Sequence, residues 1–430
     1  MSTEGTERAT EEAVPARTVE PTAQERRGHL QLRTFSSLEH RDFRYFWAST
    51  FFASAAQWIQ QITIGWLVYQ MTGSAFLLGA INGVRALPFL FVSPIAGVLA
   101  DRFERRGLLV GTQVALGVLA ILFAVGVQTG RIEVWHIFLF SLLTGVAWTF
   151  NQPARMAILP NLVPRAQLMN SMSLTSASFN VTRIIGPAVG GLLIAFVGAA
   201  GNFYLQAGLY VLVILMVLPI RIPPVGQEAR SRSMMENLAE GARYVTRERL
   251  ILTLVLLGLM PSILIMPYMS LMPAFAKDTL GQGPEGLGFL MAAAGVGALV
   301  GMLTLASLGD VRRKGLLILW CGVLMSLGLI FFSRSTILPV AIVSLMLLGA
   351  FSMSFMSTNN VIIQTIIPDN LRGRIMSIYN LDWGLMPLGS LIAGLIAEEW
   401  GTPNALTIFG LLSLIIAVVA LLRIGSLRRA

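Results

Sequence analysis

GVLADRFERRGLLV at 97–110 and ASLGDVRRKGLLIL at 306–319 make nearly the same statement twice. Each places an aspartate and two adjacent arginines between apolar runs, and Asp101 and Asp310 stand 209 positions apart. A second echo pairs ILPNLVPRAQLMNS (158–171) with IIPDNLRGRIMSIY (366–379), where Pro160 and Pro368 are 208 apart. Two echoes at almost one offset indicate an internal duplication. In membrane proteins a duplication of this kind builds two bundles around a central site.

The composition agrees with a membrane setting. Of 430 residues, 55% are apolar and 12% charged, against about 25% charged in an ordinary soluble domain. A helix crosses the hydrocarbon core with about 20 residues, and twelve such windows can be read: 45–69, 75–100, 107–128, 135–154, 170–197, 202–220, 250–275, 286–308, 315–333, 337–361, 375–397 and 404–423. Backbone groups in hydrocarbon need internal partners, and the windows lack the alternation of a barrel strand, so helices are expected. The expected organisation is a largely disordered cytoplasmic tail (1–44), a six-helix bundle (45–220), a cytoplasmic linker (221–249), a second six-helix bundle (250–423) and a short tail (424–430). Within the linker, SMMENLAEGARYVTRER reads as an amphipathic surface helix.

The net charge of +9 raises the question of nucleic acid, and its distribution answers it. Of 31 Lys and Arg residues, 26 fall on the side that holds both termini, three on the other side, and Arg85 and Arg183 within spans. By the positive-inside rule both termini are cytoplasmic and the protein sits in the cell membrane. The basic charge orients the chain; it does not read DNA. The tail has no apolar core of a signal peptide, and the single cysteine, Cys321, excludes an internal disulfide.

These residues carry a family resemblance. Gly97, Asp101, Arg102, Arg105 and Arg106, echoed by Asp310, Arg312 and Arg313, resemble the cytoplasmic loop signature of the major facilitator superfamily. NQPARMAILPNLVPR (151–165), RIIGPAVGG (183–191) and LRGRIMSIYNLDWGLMPLGSLIAG (371–394) are similar to the branch that includes the enterobactin exporter and related macrolide and drug exporters. The resemblance covers the chain after its tail. It implies an all-α integral membrane fold of twelve helices in two pseudo-symmetric six-helix bundles. It also implies alternating access, with the Asp101 network latching the outward-facing state. Gly186, Pro187, Gly190 and Gly191 match the GPxxGG core of a fifth-helix motif typical of antiporters and exporters. The longer pattern wants glycines where this chain has Thr182 and Ser173.

Ionisable groups inside spans point to function, because charge at mid-depth is expensive. Asp382 is the one acidic residue well inside a span by this topology. It is therefore the candidate for ion coupling: burial favours its protonated form and a nearby arginine its ionised form. Depth favours Arg183 as its partner, whereas helix adjacency implied by the family favours Arg85, and both stay open. Proton antiport is expected from the family; the first and fourth spans lack the acidic residue many such exporters carry, so a sodium gradient is an alternative.

In the fold that the resemblance implies, the first helix of each three-helix repeat lines the cavity, and polar or methionine stripes on these helices supply the candidates. They are Gln57 and Gln61, then Thr144, Trp148 and Asn151 with Arg155, then Met266, Met269 and Met272, and last Ser352, Met356 and Asn359. Methionine walls adapt to varied amphipathic shapes. The expected activity is export of a hydrophobic or amphipathic small molecule: a drug, an antibiotic or a siderophore. The same wall would suit a lysophospholipid flippase, and a non-transporting membrane sensor is a remoter alternative. Neither clustered histidines nor a GxxxxGK[ST] phosphate loop is present, so an enzyme, a metal site and direct ATP drive are not expected. No cofactor is expected either. The partners are the small-molecule substrate, a coupling ion (H+) and the bilayer, and the protein is expected to act as a monomer.

Overall fold

The computed structural model describes residues 33–102, 104–221, 242–309, 311–368, 371–379 and 382–423. Among them no strand occurs, and each of the twelve windows contains helix. Among the described residues eight helices are long and apolar enough to cross a membrane by length and composition. One of these holds two windows: Leu168–Val217 runs 50 residues, about 75 Å at the helical rise and far beyond one crossing. Gly198, at φ 73 and ψ 176, breaks it and separates spans five and six. The first span, Arg41–Thr72, is rich in Gln, Ser and Thr, and the second is Ala75–Arg102. The eleventh is described in two parts, Arg372–Tyr379 and Asp382–Trp400.

Local chemistry sets the ends and irregularities. Gly73 takes the left-handed conformation after span one, and its N–H caps the Tyr69 carbonyl, as glycine does past a helix end. The seventh span bears Pro261, Pro267 and Pro273, each lacking a backbone donor. It proceeds through a π turn at Pro261–Ile265, a short α-helix at Pro267–Ala274 and a second π turn at Phe275–Thr279. Where the sequence suggests a tail up to residue 44, Arg33–Glu39 forms a 3-10 helix and span one starts at Arg41. That segment is anchored, since Ser37 N–H donates to Asn170 and His40 pairs with Gln167 at 2.8 Å. Residues 1–32, most of the amphipathic linker stretch and 424–430 lie outside the described residues; 242–247 are helical.

The duplication is visible in the packing. Span two packs on span four as span eight packs on span ten, and span three packs on the Leu168–Val217 helix as span nine packs on span twelve. Glycines mark equivalent crossings. A Cβ at Gly145 would lie 2.5 Å from the Arg85 carbonyl, and one at Gly349 would lie 2.2 Å from that of Ala294. Arg85 and Ala294 are again 209 apart. Without a hydrophobic drive between helices in lipid, such close backbone approach is what holds them.

The two halves meet through spans two and eleven and through spans five and eight. Gly79 sits against Ser390, and Gly394 against Ala75 and Phe76. Gly288 sits against Pro187 and Gly191. Gly79 and Gly288, also 209 apart, hold corresponding places in the two contacts. The largest apolar cluster belongs mostly to the second half but takes in Ile62, Trp66, Ala75 and Ile194 of the first.

Candidate functional site

Polar contacts between the halves gather on the face opposite the terminal one. There Tyr69, at the end of span one, donates its hydroxyl to the Asp278 carboxylate, while Lys277 Nζ lies 5.6 Å from the Tyr69 ring centre. Ser74 Oγ and the Phe76 N–H both donate to Glu398, at 3.0 and 3.1 Å. These contacts clasp span one to span seven and span two to span eleven. Deeper in, Asn82 Nδ2 donates to Ser270 Oγ at 3.1 Å, and Ser270 donates to Ser390 at 2.9 Å.

Below the clasp lies a recess of about 30 Å³. Gln61, Asn82, Arg85, Ser141 and Ser270 give it polar walls, and Met269, Pro273 and Met291 apolar ones. Gln61, Arg85 and Met269 of the sequence candidates therefore come together here. Arg183, on span five, is partly buried and acts electrostatically on Tyr268 of span seven. Asp382 is the first residue of the second described part of span eleven, and its side chain lies outside the described residues. Eight residues back from Ser390 reach Asp382, and eight residues on from Gly79 reach Leu87, so its backbone is level with a point two residues past Arg85.

Other candidates bond within their own half. Thr144 accepts from Gln60 Nε2 at 3.2 Å, and Gln60 in turn accepts from Gln206 at 2.6 Å. Asn151 donates to Thr112 at 2.8 Å and accepts from Arg155 Nε at 2.8 Å, while Arg155 reaches Thr50 at 2.9 Å. Spans one, three and four are joined by this network. Trp148 is buried, Gln57 and Met266 are partly buried, and Asn359 donates to the Leu254 carbonyl at 3.1 Å and to Tyr379. Replacing Asn151 with alanine is expected to cost about 1–2 kcal/mol, read as a lower melting temperature in detergent with dye affinity unchanged. Replacing Gln61 with alanine is expected to do the reverse, because Gln61 lines the recess.

The exporter motif does two jobs. Gly186 and Gly190 receive span one, their added Cβ atoms meeting Trp58 at 2.6 Å and Ile62 at 2.8 Å. Gly191 instead faces the other half, at 2.4 Å from the Pro284 carbonyl. The backbone stays helical at Pro187, with Gly198 the non-helical point in that run. Asn202 Nδ2 donates to the Gly190 carbonyl at 2.8 Å and to Thr63 at 2.9 Å.

On the terminal face, Arg105 donates to the Ala157 carbonyl at 2.8 Å and Arg106 to that of Leu218. Both arginines thereby meet carbonyls near helix ends, where intrahelical donors run out, and Asn161 Nδ2 joins Arg105 on Ala157 at 3.1 Å. Helix extends through Gly97, Asp101 and Arg102, so Asp101 stands in a last turn and not just beyond one; their side chains lie outside the described residues. Asp310 also lies outside them, and Arg312 and Arg313 are exposed.

The profile of a family described as transmembrane secretion effector matches residues 32–428. The chain belongs to that family. This transmembrane secretion effector is a major facilitator superfamily transporter of the drug and siderophore exporter branch, and not an enzyme. Among its relatives, the staphyloferrin A transporter of Staphylococcus aureus (strain NCTC 8325 / PS 47) is 27% identical, over 87% of this chain and 94% of that one. The multidrug efflux pump Tap of Mycolicibacterium fortuitum is 28% identical, over 86% and 92%. The macrolide efflux protein A of Streptococcus pyogenes is 23% identical, over 88% and 94%. The fold matches that of the nucleoside transporter NupG with a TM-score of 0.71 at 14% identity, covering 89% of this chain and 99% of NupG. A bacterial homologue of the lysosomal transporter Spinster, inward-facing and unoccupied, matches at 0.66 and 14%, covering 94% and 97%.

Proposed function

We propose that this transporter is a secondary active exporter of hydrophobic or amphipathic small molecules, working by alternating access and driven by proton antiport. The observation that carries the reading is the closed contact of spans two with eleven and five with eight on one face, above a recess of mixed polarity. The efflux activity named for its relatives sets the direction. The two six-helix bundles, 45–220 and 250–423, rock about the linker 221–249 in a single polypeptide. Both termini face the cytoplasm of a cell-membrane protein, so the clasped face is external and cargo enters from the terminal side. Separation of the clasp then releases it outward.

Asp382 carries the coupling proton in this scheme, as an acidic residue read within a span. The latch of the opposite, outward-facing state is the Asp101 network, echoed at Asp310. The test is dye efflux in everted vesicles under an imposed pH gradient. Asp382→Asn is expected to abolish gradient-driven efflux at equal membrane levels, leaving only the empty-vector rate. Equal efflux in mutant and wild type would remove Asp382 from coupling. Competition by added lysophospholipid, absent with a matched neutral detergent, would instead favour a lipid cargo.

A further inference from the structure

The recess under the clasp contains a charge that helix packing does not require. Arg85 and Ala294 occupy equivalent places in the duplicated framework, each with its carbonyl against a glycine of the neighbouring span. Alanine suffices in the second half, so the guanidinium is surplus to that contact. Four residues before Gly145 stands Ser141, fully buried, lining the recess, its hydroxyl without a partner. Four residues before Gly349 the second half carries Leu345, also fully buried. At both positions one half has a hydrogen-bond donor where its counterpart is apolar.

Among the described residues Arg85 has no hydrogen bond or ion pair, and the one ionisable side chain acting on it is the phenol of Tyr210. A cation at this depth without a counter-ion is costly, and so is an unmet buried hydroxyl. Both costs are relieved by one occupant: an anionic group that accepts from the guanidinium and from Ser141. The recess of about 30 Å³ exceeds the roughly 10–15 Å³ that one water needs, which leaves room for a carboxylate or a halide and not for the body of a cargo. Asn82 and Ser270 are already bonded to one another, leaving Gln61 as a further donor on the wall.

We propose that Arg85 and Ser141 form an anion subsite for a carboxylate-sized group, supplied by the head of an exported amphiphile or by a free halide. The proposal rests on the export reading above and narrows it to cargo that includes amphiphiles with one anionic end. Met269 and Met291 form the apolar side of the same recess.

The test uses two dyes of one skeleton: rhodamine 110, with a free carboxylate, and its methyl ester, rhodamine 123. Binding to the full-length protein in lipid nanodiscs is followed by tryptophan quenching. The wild type is expected to bind the acid about tenfold more tightly than the ester, as charge-assisted hydrogen bonds discriminate. Arg85→Gln is expected to erase that preference, Ser141→Ala to reduce it, and Arg85→Lys to retain part of it. Should Arg85→Gln fail to fold, the other two variants carry the same comparison. Replacing chloride with the bulky sulfonate buffer anion HEPES separates the sources: a gain in acid affinity shows a halide competing for the subsite, and no change assigns it to the carboxylate. Equal binding of both dyes by the wild type would overturn the subsite and leave the export reading standing. If Arg85 serves only as counter-ion to Asp382, Arg85→Gln shifts both dyes alike, and the proposal fails. Binding of neither dye would count against the export reading itself, and the subsite with it.

Discussion

Gly288→Val is expected to cut efflux about tenfold or more while leaving membrane levels normal. A Cβ at Gly288 would lie 2.7 Å from the Pro187 carbonyl, 3.2 Å from Gly191 Cα and 3.3 Å from Ala188 Cα. All three neighbours are backbone, so no side chain can turn aside and the helices themselves must part. Overpacking of this kind costs about 1–3 kcal/mol, and each 1.4 kcal/mol shifts an equilibrium about tenfold. The cost falls on the clasped state alone, because that is where spans five and eight touch. The variant should therefore populate the alternative arrangement, open on the clasped face. Ser270→Cys reports this directly: Ser270 is buried below the clasp, and the native Cys321 is buried too. An impermeant maleimide added outside is expected to label the reporter in the Gly288→Val background and to leave it largely unlabelled otherwise. Wild-type efflux with unchanged protection would mean that this crossing does not govern the seal.

The spans and the duplication were legible because each rests on local information. Hydropathy marks the helices, and the offset linking Asp101 to Asp310 reappears in space between Gly79 and Gly288, and between Arg85 and Ala294. Contacts that depend on how helices rotate and meet were less legible. Three of the four glutamines of span one crowd its middle; the sequence singles out Gln57 and Gln61, yet Gln60 is the one that is 1% exposed and bonded to Thr144 and Gln206. A helical stripe identifies a polar face without saying which neighbour it will find. Thr144 and Asn151 illustrate this: their stripe was readable, but their partners on spans one and three were not. The clasp escaped for another reason. Asp278 and Glu398 lie at span ends, where a carboxylate is unremarkable until the partner half brings Tyr69 and Ser74 against it.

Bridging the clasp is expected to stop transport altogether. Ser74 and Glu398 approach to 3.0 Å through their side chains across the interface of the two halves. Cysteines at both positions, in a Cys321→Ser background, can be joined by a short bis-methanethiosulfonate. A covalent link leaves the inward-facing arrangement intact and forbids separation of spans two and eleven at this face. If cargo leaves by that separation, no rearrangement elsewhere can substitute for it. The cost of breaking the native hydrogen bonds is small by comparison, since each such bond is worth about 1 kcal/mol net, so the unbridged double variant should still export.

The most direct measurement is dye efflux from intact preloaded cells carrying Ser74→Cys with Glu398→Cys, before bridging, after bridging and after dithiothreitol. Alternating access through the clasped face predicts efflux near the wild-type rate, then the empty-vector rate, then recovery, with single-cysteine variants unaffected by the same reagent. Undiminished efflux from fully bridged protein would contradict the account, because cargo would then leave by a route that this face does not gate.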